Sequence, residues 1–177
     1  MKKIGFVCVM ALLLSTNVQA QSRNSGSRYA TRDVVNLTVG VGLPTGDASD
    51  FSNINLSGGL LFQSVINENL NLTFGATYSH FIGKKVTEDL LTIEYDDLSS
   101  ILLGAGARGF FTQDFGVGIE LGYAIGITPE NYDGGFYYSP NMRYYISSST
   151  NVFLSYTSIS SDGSALSSFN LGFEFGL

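Results

Sequence analysis

The chain has one histidine, His80, and it stands beside Ser79 near the end of an alternating apolar stretch. An imidazole next to a hydroxyl is the raw material for a general base and a nucleophile, so His80 is the candidate catalytic residue. Neighbouring residues on an extended strand point to opposite faces, however, so Ser79 is not a same-face partner along that strand. A serine from an adjacent strand or loop is needed instead; without one, His80 reads as an interfacial or loop-capping residue. Nearby, "TEDLLTIEYDD" gathers Glu88, Asp89, Glu94, Asp96 and Asp97. Grouped carboxylates attract divalent cations, but neither this stretch nor "PTGDASD" has the D-x-[DN]-x-[DN]-G spacing of a calcium loop. They read as solvated charge, and no metal site is expected. The sequence also lacks a glycine-rich phosphate loop, zinc-ligand spacing and a nucleophile elbow. No cofactor is expected, and His80 apart the chain reads as non-enzymatic.

A second set of ionisable residues, Arg108, Glu120, Arg143 and Glu174, interrupts otherwise uncharged alternations. All four share the phase of the small and polar residues, not that of the large apolar ones. Counted from the turn around Gln113, Arg108 and Glu120 stand at about equal heights, which predicts cross-strand neighbours. Arg143 and Glu174 lie at similar distances from their own strand ends. If this phase faces an enclosed interior, the four compose one layer of two cations and two anions. Such a layer should be paired, because an isolated charge in a poorly hydrated space costs several kcal/mol. Its structural reading is an internal charge plug; the other use of the same groups is an ion or proton path.

Eight period-two segments position these residues, at about 33–43, 54–66, 69–81, 98–111, 115–127, 135–146, 151–160 and 166–177. In the fifth, Val117, Ile119, Leu121, Tyr123, Ile125 and Ile127 oppose Gly116, Gly118, Glu120, Gly122, Ala124 and Gly126. In the third, Leu70, Leu72, Phe74, Ala76 and Tyr78 oppose Asn71, Thr73, Gly75, Thr77 and Ser79. "NEN", "TQD" and "SSST" make tight polar turns, while "PTGDASDFSN", "GKKVTEDLLTIEYDD", "TPENYDG" and "SDGSA" make mostly longer, acidic loops. Because antiparallel strands alternate direction, the turns collect at one end and the loops at the other. Tilted strands need about 9 to 11 residues to cross a bilayer. Even strand number with short turns opposite long loops is the pattern of an outer-membrane barrel. The predicted fold is all-β, an eight-stranded antiparallel up-and-down transmembrane β-barrel over residues 33–177. Eight strands enclose too little room for the large residues, so those face lipid and the small polar ones fill the centre. Leu61, Leu102, Phe110, Tyr137, Tyr145 and Phe153 share the inward phase and add bulk there. Phe111, Phe115 and Tyr144 near the turns, with Tyr78, Phe136, Tyr138 and Tyr156 toward the loops, suit two interfacial aromatic belts.

Of 177 residues, 44% are hydrophobic and only 14% charged, with a formal net charge of -6; a typical soluble domain carries about 25% charged residues. An acidic chain is a poor nucleic-acid partner. Lys2 and Lys3, the apolar run Ile4 to Leu14 and the small residues of "STNVQA" predict a secretory signal peptide over residues 1–20. Residues 21–32 read as a short flexible leader. The single cysteine, Cys8, falls inside the apolar run, so the exported chain is stable without disulfides.

The opening "VVNLTVGVGLPTGD", the paired "GFFTQDFGVGIELGYA" and the closing "FNLGFEFGL" resemble the small outer-membrane barrels of the OmpA, OmpX and OmpW type, especially the porin-family barrels of Bacteroidetes. The resemblance implies a Gram-negative outer-membrane location among lipid and lipopolysaccharide. It also implies a terminal strand read by the barrel-insertion machinery, through Phe169, Phe173, Phe175 and Leu177. Members of such families are structural, adhesive, stress-related, conducting or active on lipid A. The expectation is a non-enzymatic barrel with an envelope-structural or surface-interaction role through its outward loops. The alternatives are a conduit or binder for a small, apolar molecule, and a lipid A-modifying enzyme using His80.

Overall fold

The computed structural model describes residues 33–88, 91–161 and 164–177. The expected signal peptide and leader, and Asp89 of the acidic loop, lie outside the described residues.

Eight long strands close on themselves: β1 (Val34–Thr45), β2 (Ser52–Asn67), β3 (Leu70–Gly83), β6 (Leu98–Phe110), β7 (Phe115–Thr128), β8 (Gly134–Tyr145), β9 (Thr150–Ser161) and β10 (Ser164–Gly176). Every neighbouring pair is antiparallel, and β1 closes against β10 from Asn36 opposite Gly176 to Thr45 opposite Ser167. Closure matters because a sheet edge leaves a row of unpaired backbone donors and acceptors, which only water or another strand can satisfy.

Two features of the loop end were not legible as elements. "ASDF" forms a one-turn helix, α1 (Ala48–Phe51), and β4 (Lys85–Glu88) pairs with β5 (Leu91–Glu94) as a hairpin separate from the barrel. The fourth loop-end connection is shorter than "SDGSA" suggests, because β9 and β10 run on to Ser161 and from Ser164. At the other end the turns are held by local polar bonds: Asn67 Oδ1 accepts from the Asn69 amide at 2.9 Å, and Thr112 Oγ1 accepts from that of Phe115 at 3.1 Å.

The alternation sorts side chains to the two faces. Large apolar residues are exposed on all eight barrel strands, among them Leu37, Phe62, Phe74, Leu103, Leu121, Phe136, Leu154 and Phe173. Inward lie Asn36, Asn55, Gln63, Asn71, Thr73, Ser100, Asn151 and Asn170, all buried. Leu61, Leu102, Phe110, Tyr137, Tyr145 and Phe153 are buried with them. Room for the rings comes from glycine. Tyr137 stands opposite Gly122, which stands opposite Gly104. A Cβ at Gly122 would lie 2.7 Å from Cε1 of Tyr137, and one at Gly104 would overlap its hydroxyl. The ring therefore lies across two strands. Phe153 uses the same device over Gly172 and Gly40.

Candidate functional site

Among the described residues, every Arg, Lys, Asp or Glu within the eight barrel strands is one of Arg108, Glu120, Arg143 and Glu174, and all four point inward. Glu174 is the hub. It receives Arg108 Nη1 at 3.2 Å, Arg143 Nε at 2.8 Å and Asn151 Nδ2 at 3.2 Å. Arg143 continues to Glu120 through Nη2 at 3.4 Å. Arg108 also donates to Tyr145 Oη at 2.9 Å and to Gln63, and Arg143 donates to Asn141. The Arg143 guanidinium lies 5.6 Å from the centre of the Phe153 ring.

The side chains of Arg108 and Glu174 are 1% and 0% exposed, whereas Glu120 is 20% exposed. The layer thus has a dry half around Glu174 and a wetter half around Glu120. One expectation needs correction. Arg108 does not face Glu120 across the β6–β7 ladder; it stands opposite Gly118, and Glu120 stands opposite Gly106. A two-residue offset and the length of arginine send Arg108 across the lumen to β10 instead. Counting from a turn gives approximate height on one hairpin, but a staggered barrel brings residues of distant strands to the same level.

Above this layer, toward the loops, lies a cavity of about 70 Å³ with Glu120 and Arg143 in its wall. That is room for about five waters at roughly 10 to 15 Å³ each. Hydroxyl- and amide-bearing residues, including Thr38, Ser57, Thr77, Ser155 and Asn170, line it together with Leu61, Phe81, Tyr137 and Phe153. The loop end is closed differently, by Ala48, Phe81, Leu102, Ala124, Tyr137, Ile159 and Leu166, with Phe51, Leu98 and Tyr132 packed against them. α1 thus acts as part of a lid.

His80 faces outward, three residues before the loop end of β3. Directly opposite on β6 is Ser99, whose Oγ lies 2.8 Å from His80 Nδ1. Asp97 Oδ2 is 3.6 Å from His80 Nε2, an ion-pair separation, and its Oδ1 accepts from the Gly83 amide at 2.8 Å. Tyr78 donates to Ser99 Oγ at 3.0 Å, and its ring stacks on the imidazole with centroids 6.1 Å apart. Ser99 was missed as a partner; pairing "YSH" of β3 with "LSS" of β6 across the intervening loop is the register that would have found it. Of the acidic loop, Glu94 binds Lys85 at 2.8 Å, and among the described residues no cluster of His, Cys, Asp or Glu is placed to hold a metal ion.

The aromatic residues expected in the two belts fall on the outward face. Phe115 stands opposite Tyr144 near the turns, with Phe111 exposed beyond them. Toward the loops, Tyr138, Tyr156 and Phe169 form a run of tilted rings, with centroids 6.2 and 5.0 Å apart. Phe136 and Tyr78 are exposed on the same half. On the terminal strand Phe173 stacks with Phe175 at 6.1 Å, and Leu177 is exposed with its amide bonded to Val35.

The fold is that of closed eight-stranded antiparallel barrels, and it aligns with solved structures of that class. A de novo designed transmembrane β-barrel matches with a TM-score of 0.55 at 16% identity, covering 83% of this chain and 98% of that one. Ail, the attachment invasion locus protein of Yersinia pestis, matches with a TM-score of 0.58 at 11% identity, covering 82% and 97%. The N-terminal barrel domain of Pseudomonas aeruginosa OprF matches at 0.50 and 13%, covering 82% and 98%. At these identities the likeness is one of fold. No protein-family model matches the sequence, and no curated protein does.

Proposed function

We propose that this protein is an integral β-barrel of a Gram-negative outer membrane, with an envelope-structural or surface-interaction role carried by its loop end. The observation that supports this most is the outward face itself. Leu171 at 54% and Phe173 at 46% exposure belong to an apolar wall that runs round all the barrel strands. Soluble monomers rarely show contiguous apolar patches above a few hundred Å², whereas lipid solvates such a wall without cost. Strands of 12 to 16 residues are long enough to cross tilted, and the two aromatic groups suit headgroup level.

In this reading the ion layer is a plug. Two compensated cations and anions, tied by hydrogen bonds, fill the lumen where a continuous water column would otherwise pass. The alternating aromatics Phe169, Phe173 and Phe175, with Leu177, serve as the strand presented to the barrel-insertion machinery. Lipid and lipopolysaccharide are the lateral partners. One Ail structure holds the heparin analogue sucrose octasulfate. A polyanion of that kind suits this chain poorly, because Asp47, Asp50, Glu94, Asp96, Asp97, Glu130 and Asp133 outnumber Lys84 and Lys85 at the loop end. The same imbalance disfavours nucleic acid.

A conduit for an apolar molecule would require a path through both the lid and the charged layer, and the cavity between them is sized for water. The membrane reading is tested by introducing single cysteines at Leu121 and Phe173 and labelling the folded protein. Reagents dissolved in lipid should reach both sites. Free reaction with aqueous reagents, or recovery of the protein without detergent, would overturn the placement.

A further inference from the structure

We propose that Ser99, His80 and Asp97 form a serine-hydrolase centre on the outward face of the barrel, acting on ester-linked acyl chains of outer-leaflet lipid. The substrate class rests on the membrane reading above; the centre rests on the geometry alone.

A capping role asks only that the imidazole find one polar partner. Here four groups are ordered in sequence. Tyr78 donates to Ser99 Oγ at 3.0 Å, and Ser99 Oγ lies 2.8 Å from His80 Nδ1, so that Ser99 donates to the ring in the tautomer protonated at Nε2. The tautomer that accepts at Nδ1 carries its proton on Nε2, toward Asp97 Oδ2 at 3.6 Å. That last contact is longer than a hydrogen bond. It shortens when the ring gains a positive charge, as catalytic contacts do on going from the resting to the reacting state. The Gly83 amide holds the other Asp97 oxygen, and the Tyr78 ring stacks on the imidazole, so base and carboxylate are both oriented. Nucleophile, base and orienting acid are defined by these roles and not by chain order. Ser99 is 4% exposed, covered by groups that bond to it; an entering ester takes the place of the Tyr78 hydroxyl, which then donates to the developing oxyanion.

The chemistry balances without a cofactor. Ser99 Oγ bonds to the ester carbonyl carbon as its proton passes to His80 Nδ1. The tetrahedral intermediate collapses, the bond to the alcohol oxygen breaks, and His80 returns the proton to that leaving oxygen. Water then attacks the acyl-serine, gives a proton to His80, and the fatty acid leaves as the proton returns to Ser99. The net reaction is ester plus water to acid plus alcohol. The location supplies the substrate: the patch sits at the loop-end margin of the apolar wall, where acyl esters meet headgroups.

The test uses the full barrel folded in detergent micelles, with an alkyl fluorophosphonate as active-site probe and p-nitrophenyl decanoate and phosphatidylethanolamine as substrates. The expected result is a probe adduct on the peptide holding Ser99, absent in Ser99→Ala, and ester hydrolysis lowered by about ten-thousandfold or more in Ser99→Ala and His80→Ala. Asp97→Asn, which keeps the shape and removes the charge beside His80 Nε2, should lower kcat while leaving KM in place; a bystander carboxylate would leave both unchanged. Heat-modifiable gel migration verifies that each variant is folded. A folded barrel that inserts into vesicles but takes no adduct at Ser99 overturns the hydrolase centre and leaves the membrane reading standing. Hydrolysis of the nitrophenyl ester by a protein that does not insert upholds the centre and overturns its lipid substrate.

Discussion

Replacing Glu174 by Gln isolates the energetic role of the ion layer, because the shape is kept and the charge removed. Glu174 is the anion within ion-pair reach of Arg108, whose side chain is 1% exposed, while Arg143 retains Glu120 at 3.4 Å. The substitution strands one guanidinium in a dry site, and breaking a buried pair in that way costs about 3 to 5 kcal/mol. Glu120→Gln removes an anion that is 20% exposed beside a water-sized cavity, where screening limits the loss to about 1 kcal/mol. Urea unfolding in lipid vesicles, followed by the fraction of heat-modifiable band, measures both. The order is the decisive quantity: Glu174→Gln should be far more damaging than Glu120→Gln. Adding Arg108→Met should recover much of the loss, since it removes the stranded cation. Equal midpoints for the two single variants, or a double variant worse than Glu174→Gln alone, would refute the assignment of Glu174 as hub.

The remaining expectations use other parts of the barrel. Leu121→Arg places a charge on the outward wall of β7 and should cost about 2 to 4 kcal/mol if that position is near mid-bilayer, measured by the same unfolding series; an unchanged midpoint would count against lipid contact. Gly122→Ala drives a Cβ into the Leu103 carbonyl oxygen and to 2.7 Å from the Tyr137 ring and should destabilise by about 1 to 3 kcal/mol or more, whereas alanine at Gly58, whose Cβ meets nothing nearer than 3.7 Å, should fold normally. Burial pushes the Tyr132 hydroxyl up from 10.0 to about 12. Its contribution to loop-end stability is therefore complete below pH 10 and declines as pH rises toward 12. Ultraviolet titration of Tyr132→Phe should show one fewer late-titrating tyrosinate than the parent protein. In planar bilayers the intact protein should hold a closed baseline, and Arg143→Ala should raise ion leakage or lower the melting temperature; no change in either would sink the plug.

Strand number and facing were legible because a period of two needs no knowledge of partners. Leu37, Leu121 and Phe173 reveal their side through their own neighbours in sequence. Pairing across the barrel was not legible, since it depends on stagger, which no single strand encodes. That is why Arg108 could be placed inward yet assigned to Glu120, when its side chain reaches Glu174 on β10. Ser99 escaped for the same reason: β3 and β6 are adjacent in space but separated by the β4–β5 hairpin in sequence. α1 escaped because a helix of one turn, Ala48 to Phe51, has too few residues to show a helical period; its apolar residues make sense only against Phe81.

The interior is occupied at three levels by three different kinds of contact, and this bears on where function resides. At the loop end, α1 and Tyr132 pack into an apolar cluster with Phe81 and Leu102. In the middle, the rings of Tyr137 and Phe153 lie across paired glycines and narrow the lumen to a water-sized cavity. Nearer the turns, Arg108 and Arg143 meet on Glu174 in a buried ion network. A solute passing through would have to undo packing, displace two rings and separate buried ion pairs, all of which also hold the barrel together. Opening such a path approaches unfolding in its cost. Selective chemistry or recognition is far cheaper on surfaces that the fold leaves free, namely the acidic loops and the outward patch where His80 and Ser99 meet Asp97 at the loop-end margin of the apolar wall.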